Sequence, residues 1–177
     1  MISLKAKDVR SENITITNNP IIYFWWFKDS CVKDLLSPLW KEMNHDQISY
    51  TEFDDSKYAL LYIGKAKKGH DRLIKYHILD SGKFHEKGVN NGRLSSLRQT
   101  LCGLLEQPMS EAKQYIDNFM DENCIVQYDE CTLDELDLIE KERIQSNYLP
   151  LNYQHTKGVL SKEHRKILSS LKKEMRY

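Results

Sequence analysis

The chain has 177 residues and balances 26 Lys and Arg against 26 Asp and Glu, so net charge alone points to no anionic partner. A hydrophobic share of 40% is enough for one packed core, and seven Gly and four Pro leave no long flexible linker. No apolar run approaches the roughly 20 residues of a membrane helix. The opening MISLKAKDVRSE carries charges where a secretory leader would be apolar. Cys31, Cys102, Cys124 and Cys131 show neither a C-x-x-C pair nor a zinc spacing. The expectation is a cytoplasmic, single-domain protein with reduced thiols.

The even balance hides segregation. Residues 62–99 hold nine Lys/Arg against three acids, 106–142 hold twelve acids against two lysines, and 155–177 hold seven basic residues against two acids. Blocks of this kind give a neutral molecule one basic and one acidic face, and a phosphate backbone responds to the local face.

In chain order, residues 1–19 fit either a short helix or an edge strand. The β-branched and aromatic run 21–27, opened by Pro20, predicts a central strand buried on both sides. Residues 31–43 have helical spacing that Pro38 splits or kinks, and 44–57 read as a polar connection. Residues 58–63 predict a second strand, stopped by Gly64. A helix over 71–79 follows, then a loop over 80–92 marked by Asn91-Gly92. Helices are predicted over 93–105 and 110–120, and a third strand over 125–128. Thr132 and Glu135 form a capping-box pattern that opens a helix to about 147, and Pro150 ends that element. A final helix covers 161–175. The fold class is α+β, a small antiparallel three-stranded sheet flanked by helices.

Chemistry-bearing residues fall in two blocks. In the first, Gly64 lets the chain leave its strand sharply. Lys65 follows, and Arg72 lies in the first turn of the next helix with Tyr76 four residues on. A guanidinium at a helix start, beside a lysine and phenols, suits a tetrahedral anion. In the second block, Glu140 stands four residues from both Leu136 and Ile144. It therefore falls on the inward stripe predicted for Leu133, Leu136, Ile139 or Glu140, and Ile144. A carboxylate there needs a cation, and a divalent metal would supply one. Asn152, after Pro150, suits a role bridging backbone groups at the helix end.

Pro20-Ile-Ile-Tyr23, Tyr62-Ile-Gly64, Arg72, Glu140 and Pro150-Leu-Asn152 together resemble the GIY-YIG nuclease superfamily. The first motif lacks its glycine, and Tyr23 and Tyr62 are 39 positions apart, which marks about 28–56 as an insertion. A second insertion covers about 80–122. The core would span about 20–153 of one domain over 1–177, with a C-terminal helix at about 160–176. The resemblance implies a metal-dependent endonuclease acting on DNA in preference to RNA. One Mg²⁺ or Mn²⁺ would rest on Glu140, and Tyr23, Tyr62, Lys65, Arg72, Tyr76 and Asn152 would complete the catalytic set. Tyr23 or Tyr62 would activate the attacking water, with its phenol made acidic by neighbouring positive charge.

Lys67, Lys68, Lys75, His77, Arg93 and Arg98 are candidate nucleic-acid contacts. Lys162, Arg165, Lys166, Lys172, Lys173 and Arg176 on the last helix form a second basic surface. Specificity would come from the insertions, a protein partner or dimerisation. A non-cleaving nucleic-acid-binding module of the same fold is the competing reading, and a protein-interaction domain is a third.

Overall fold

The computed structural model describes residues 1–80 and 82–176. Strand β2 (Ile21–Lys28) is buried along almost its whole length, as its unbroken β-branched and aromatic run requires. It pairs antiparallel with β4 (Ser56–Ala66) on one side and β5 (Cys124–Glu130) on the other. Two further strands lie outside these. β1 (Ile2–Lys5) joins β5, and β3 (Tyr50–Phe53) joins β4, giving the antiparallel order β1-β5-β2-β4-β3.

The sheet thus has five strands rather than the three expected. Both additions are four-residue edge strands, too short for alternation to register. The β3–β4 hairpin had a local signature nonetheless. Asp54 and Asp55 take φ of 46° and 57°, the two positive values of a type I′ turn, and aspartate is among the residues that tolerate them.

One face of the sheet is covered by α1 (Ala6–Glu12), α4 (Ser96–Leu104), α5 (Ala112–Asn123) and a ten-residue π-helix (His70–Leu79), which pack on Tyr23, Trp25 and Phe27. The other face, with Ile22, Phe24, Leu60 and Ile63, is covered by α6 (Leu136–Gln145). Residues 1–19 form both a strand and a helix rather than one of the two. The expected helix over 31–43 is divided into α2 (Asp29–Leu35) and a 3₁₀ turn (Ser37–Glu42) with Pro38 in its first turn, as the proline dictates.

Three local expectations need correction. A helix, α3 (Gly82–Asn90), occupies most of the expected loop 80–92, and Asn91-Gly92 ends it with Gly92 at φ 63°. Ser81 of that loop, like Tyr177 of the basic terminal segment, lies outside the described residues. Thr132 does not cap α6. Its hydroxyl bonds the Glu135 carboxylate at 2.6 Å, and the helix begins after both. Leu133, outside the helix, is 56% exposed, whereas Leu136, Glu140 and Ile144 point inward.

The last helix, α7 (Lys162–Glu174), is capped by Ser161, whose hydroxyl accepts from the His164 amide at 3.0 Å. It packs on α4 at backbone distance, because a Cβ on Gly103 would sit 2.8 Å from the Leu171 carbonyl carbon.

Arg98 is buried inside this helical layer, with Nε 3.1 Å from Asp80 and Nη2 bonded to Asp117. Its Nη1 donates to the His77 carbonyl at 2.9 Å. Such a charge is tolerated only because it is paired and hydrogen-bonded. Replacing Arg98 with Met should cost on the order of 3–5 kcal/mol, since it strands buried carboxylates. Urea unfolding of wild type and Arg98→Met checks this, and a loss below 1 kcal/mol would show that the network carries little stability.

Candidate active site

Tyr23, Tyr62, Gly64 and Arg72 meet on one face of the sheet, while Lys65 points to the other. Side chains alternate along a strand, so Tyr23 and Trp25 of β2 share a face with Gly64 and Tyr62, their cross-strand partners on β4. A bulge between Trp25 and Trp26 in the pairing keeps this register only toward the Gly64 end. Tyr23 lies flat across Gly64: a Cβ there would be 2.5 Å from the phenol oxygen. This is why the strand must have glycine at 64. Ile21 fills the place of the missing motif glycine, and the room comes from the facing Gly69, whose Cβ would be 3.0 Å from the Ile21 side chain.

The π-helix decides which of its residues meet Tyr23. Its hydrogen bonds close over five residues rather than four, so positions five apart line up. Arg72 and His77, five apart, therefore both come near Tyr23, while Arg72 also borders a cleft with Tyr76. His77 Nε2 lies 2.8 Å from Tyr23 Oη, and the rings meet edge to face at 5.2 Å. Tyr76 is turned outward at 37% exposure. The expectation that His77 makes a surface or phosphate contact is corrected: it is fully buried.

Arg72 is half-buried and lies within hydrogen-bonding reach of Tyr23 Oη, as does Tyr62, which Ser96 approaches in turn. A guanidinium can only donate, so Arg72 presents N–H groups to the Tyr23 oxygen, and the direction of the Tyr23–His77 bond is set by the imidazole tautomer. Ser96, Tyr62, Tyr23 and His77 thus follow one another, the last two joined by the 2.8 Å hydrogen bond.

Burial is the largest influence on these groups. It raises the pKa of Tyr23 despite the opposing charge of Arg72, and raises that of Tyr62 further. Burial thus works against the expected acidified phenol. Burial, with the charges of Arg72 and Arg98, pushes the His77 imidazole well below its usual range, so it is neutral. Burial also lifts the thiols of Cys31 and Cys102 to about 12, which leaves no thiolate nucleophile there at neutral pH.

The second block arrives around the free edge of β4. β3 pairs with residues 56–59 of that strand, and beyond it the chain after α6 takes over. Leu151 N donates to the Leu61 carbonyl at 3.1 Å. The Asn152 side chain then grips both backbone groups of Ile63, accepting from its amide at 2.9 Å and donating to its carbonyl at 2.8 Å. Asn152 acts as a one-residue strand and touches no reacting group.

Next to this clamp opens a narrow cleft of about 150 Å³, bordered by Tyr62, Ser96, Glu140, Asn152, Tyr153 and Lys172. Glu140 reaches it at 9% exposure. Glu140 shares this cleft with Tyr62, Arg72 borders a separate one with Tyr76, and the charges of Glu140 and Arg72 both act on Tyr23 and Tyr62. Lys65 points to the α6 side, bonding Glu140 Oε2 at 2.6 Å and Asp137 at 2.9 Å, and His155 Nε2 is 3.9 Å from the same Glu140 oxygen. The cation expected beside Glu140 is thus met in part by a lysine.

Among the described residues no group of three or more His, Cys, Asp or Glu gathers to hold a metal. The donor chemistry fits a hard divalent ion only in a one-carboxylate form, with Glu140 at the rim of a cleft also bordered by the phenol of Tyr62 and the amides of Asn152 and Gln154.

The remaining candidates divide. Lys67, Lys68 and Arg93 are exposed, and Arg93 borders a wider cleft of about 550 Å³ with Arg72, Tyr76, Lys87 and Asn91. Lys75 is paired with Asp71 at 2.6 Å. Arg98 is buried in protein contacts and cannot meet a phosphate, which corrects that expectation. Ser96 and Gln154 are site residues that the sequence reading missed, and nothing in their local pattern singled them out.

The family model of the GIY-YIG catalytic domain matches residues 21–174. The chain belongs to the GIY-YIG family. No curated protein and no solved structure matches it. GIY-YIG domains are generally nucleases, hydrolases that act on nucleic acid. Among the described residues no helix is long and apolar enough to cross a membrane.

His77 yields a pH test. Its folded pKa lies below the unfolded value, so the unfolded chain binds more protons in acid. Stability is therefore complete above about pH 6.5 and falls below it. The buried His164 shifts the same way and adds to the slope. Each contributes up to about 1.4 kcal/mol per pH unit. Urea unfolding at pH 7.5 and 5.0 should show this loss, with a shallower slope in His77→Gln; equal slopes would mean that His77 titrates normally.

Proposed function

We propose that this GIY-YIG protein is an endonuclease that hydrolyses phosphodiester bonds in DNA, assisted by one Mg²⁺ or Mn²⁺ held on Glu140. What supports the reading is the convergence of a guanidinium and a lone carboxylate on the same pair of buried phenols, from stretches some 70 residues apart in a chain of this family. When bound, the ion supplies Lewis acidity for the scissile phosphate and its leaving oxygen.

The chain's own groups account for the rest. Arg72 offers a fork of donors to non-bridging phosphate oxygens as their charge grows. Water next to Tyr23 gives up a proton to the phenol oxygen while the phenol passes its own proton to His77 Nε2. The water oxygen then bonds phosphorus as the phosphorus–O3′ bond breaks. In this route the tyrosine never becomes a free phenolate, which suits a phenol whose pKa burial has raised. Arg72 and Arg98 oppose charge on His77, and the negative phosphate arriving at Arg72 lessens that opposition. Lys65 and Asp137 would orient Glu140.

The salt bridge between Lys65 and Glu140 favours a second reading, a module of the same fold that grips nucleic acid without cutting it. A plasmid-nicking assay in Mg²⁺ or Mn²⁺ separates the two. Wild type should nick, and Arg72→Ala or Glu140→Gln should lower the rate on the order of 10²–10³-fold. His77→Gln should reduce the rate and alter its pH profile. Persistent absence of nicking by well-folded wild type, with binding retained, would establish the second reading.

A further inference from the structure

Tyr153 stands immediately after the Asn152 clamp and borders three adjoining hollows. The first is the Glu140 cleft. The second runs along α7 beside Lys162, Arg165, Lys166 and Lys173. The third is lined by His155, Lys157 and Arg165. Tyr153 is 48% exposed. α7 is fixed to the body by its opposite side, where Leu168 is buried and His164 Nε2 meets the Pro150 carbonyl at 2.9 Å. Its cationic side therefore faces outward at a spacing of three or four residues, over about 16 Å. Arg165 Nε is buried without a hydrogen-bond partner among the described residues. The acids in reach are Glu163, 3.8 Å from Lys166 and exposed, and Glu174, which accepts from Ser170 at 2.9 Å, so four cations face two carboxylates.

We infer that this face holds an unpaired nucleic-acid strand as it enters the Glu140 cleft, with Tyr153 as a platform on which one base stacks. The cations supply the charge complement of the phosphates and would serve a duplex equally well. Tyr153 discriminates, because a half-exposed ring amid cations contributes only when a base is free of its own stack. The narrowness of the adjoining cleft agrees with one strand rather than two. The inference builds on the nuclease reading by naming its substrate class, a strand unpaired beside the scissile phosphate.

The test measures binding without metal, so it is independent of cutting. Full-length wild type in EDTA is titrated against labelled oligodeoxythymidine of about 15 nucleotides and a duplex of equal length, followed by anisotropy. The single strand should bind more tightly. Tyr153→Ala should weaken single-strand binding about tenfold, leave duplex binding within about twofold, and be rescued by Tyr153→Phe. Replacing Lys162, Lys166 and Lys173 together by Gln should reduce the salt slope on the single strand by about two. Thermal unfolding of each variant controls for folding. Equal or tighter duplex binding, or a Tyr153→Ala effect that is absent or the same on both probes, would overturn the inference. Failure to nick plasmid with this pattern intact would instead remove the nuclease reading alone.

Discussion

The site depends on how the π-helix ends. A helix closing over five residues leaves more carbonyls unpaired at its C-terminus than an α-helix does, and buried carbonyls need donors. Three cations supply them: Arg98 donates to the His77 carbonyl, Arg10 to that of Ile78, and Lys113 to that of Leu79 at 3.0 Å. Asp117 and Asp121 hold these cations in turn, with Asp121 2.9 Å from Arg10. Arg98 is therefore far from nucleic acid yet close to function. It stabilises a helical winding in which Arg72 and His77, five apart, both face Tyr23.

Convergence of the two sequence blocks depends on the unpaired half of β4. An open strand edge invites pairing, and Leu151 with the side chain of Asn152 accepts that invitation at Leu61 and Ile63. The clamp fixes where α6 lies, and so where Glu140 emerges relative to Tyr62. Because α6 covers one sheet face while the phenols occupy the other, carboxylate and guanidinium can approach one another only around this edge. Tyr153, the next residue, is placed on the rim by the same clamp.

Much of this was legible in the sequence. The central strand followed from the run at 21–27, the second strand from its apolar run at 58–63, although it continues through Gly64 to Ala66 instead of stopping there, and the inward Glu140 from its spacing with Leu136 and Ile144. The family motifs marked Tyr23, Tyr62, Arg72 and Asn152. What escaped was of two kinds. Short edge strands lack enough residues for a period to show, and α3, GKFHEKGVN, carries two glycines and only two apolar residues in nine. The π-winding has no local pattern at all, its terminal carbonyls being met by Arg10, Arg98 and Lys113 from distant parts of the chain, so the reading of His77 as a nucleic-acid contact failed. Arg98 failed for the same reason, since a lone arginine on an amphipathic helix looks the same whether its partner is solvent or a buried carboxylate.

The charge pattern also changes meaning once folded. The acidic block 106–142 spends Asp117 and Asp121 inside the protein, neutralising the cations that cap the π-helix, and commits Asp137 and Glu140 to Lys65. By contrast, Lys162, Lys166 and Lys173 of the terminal segment are exposed, and the ion pair there, to Glu163, is at the surface and weak. A neutral chain thus becomes a polarised molecule, with mobile positive charge along α7 and much of the nearby negative charge tied up in structure. The field that an approaching polyanion meets is set by that difference in commitment rather than by the equal totals of acid and base.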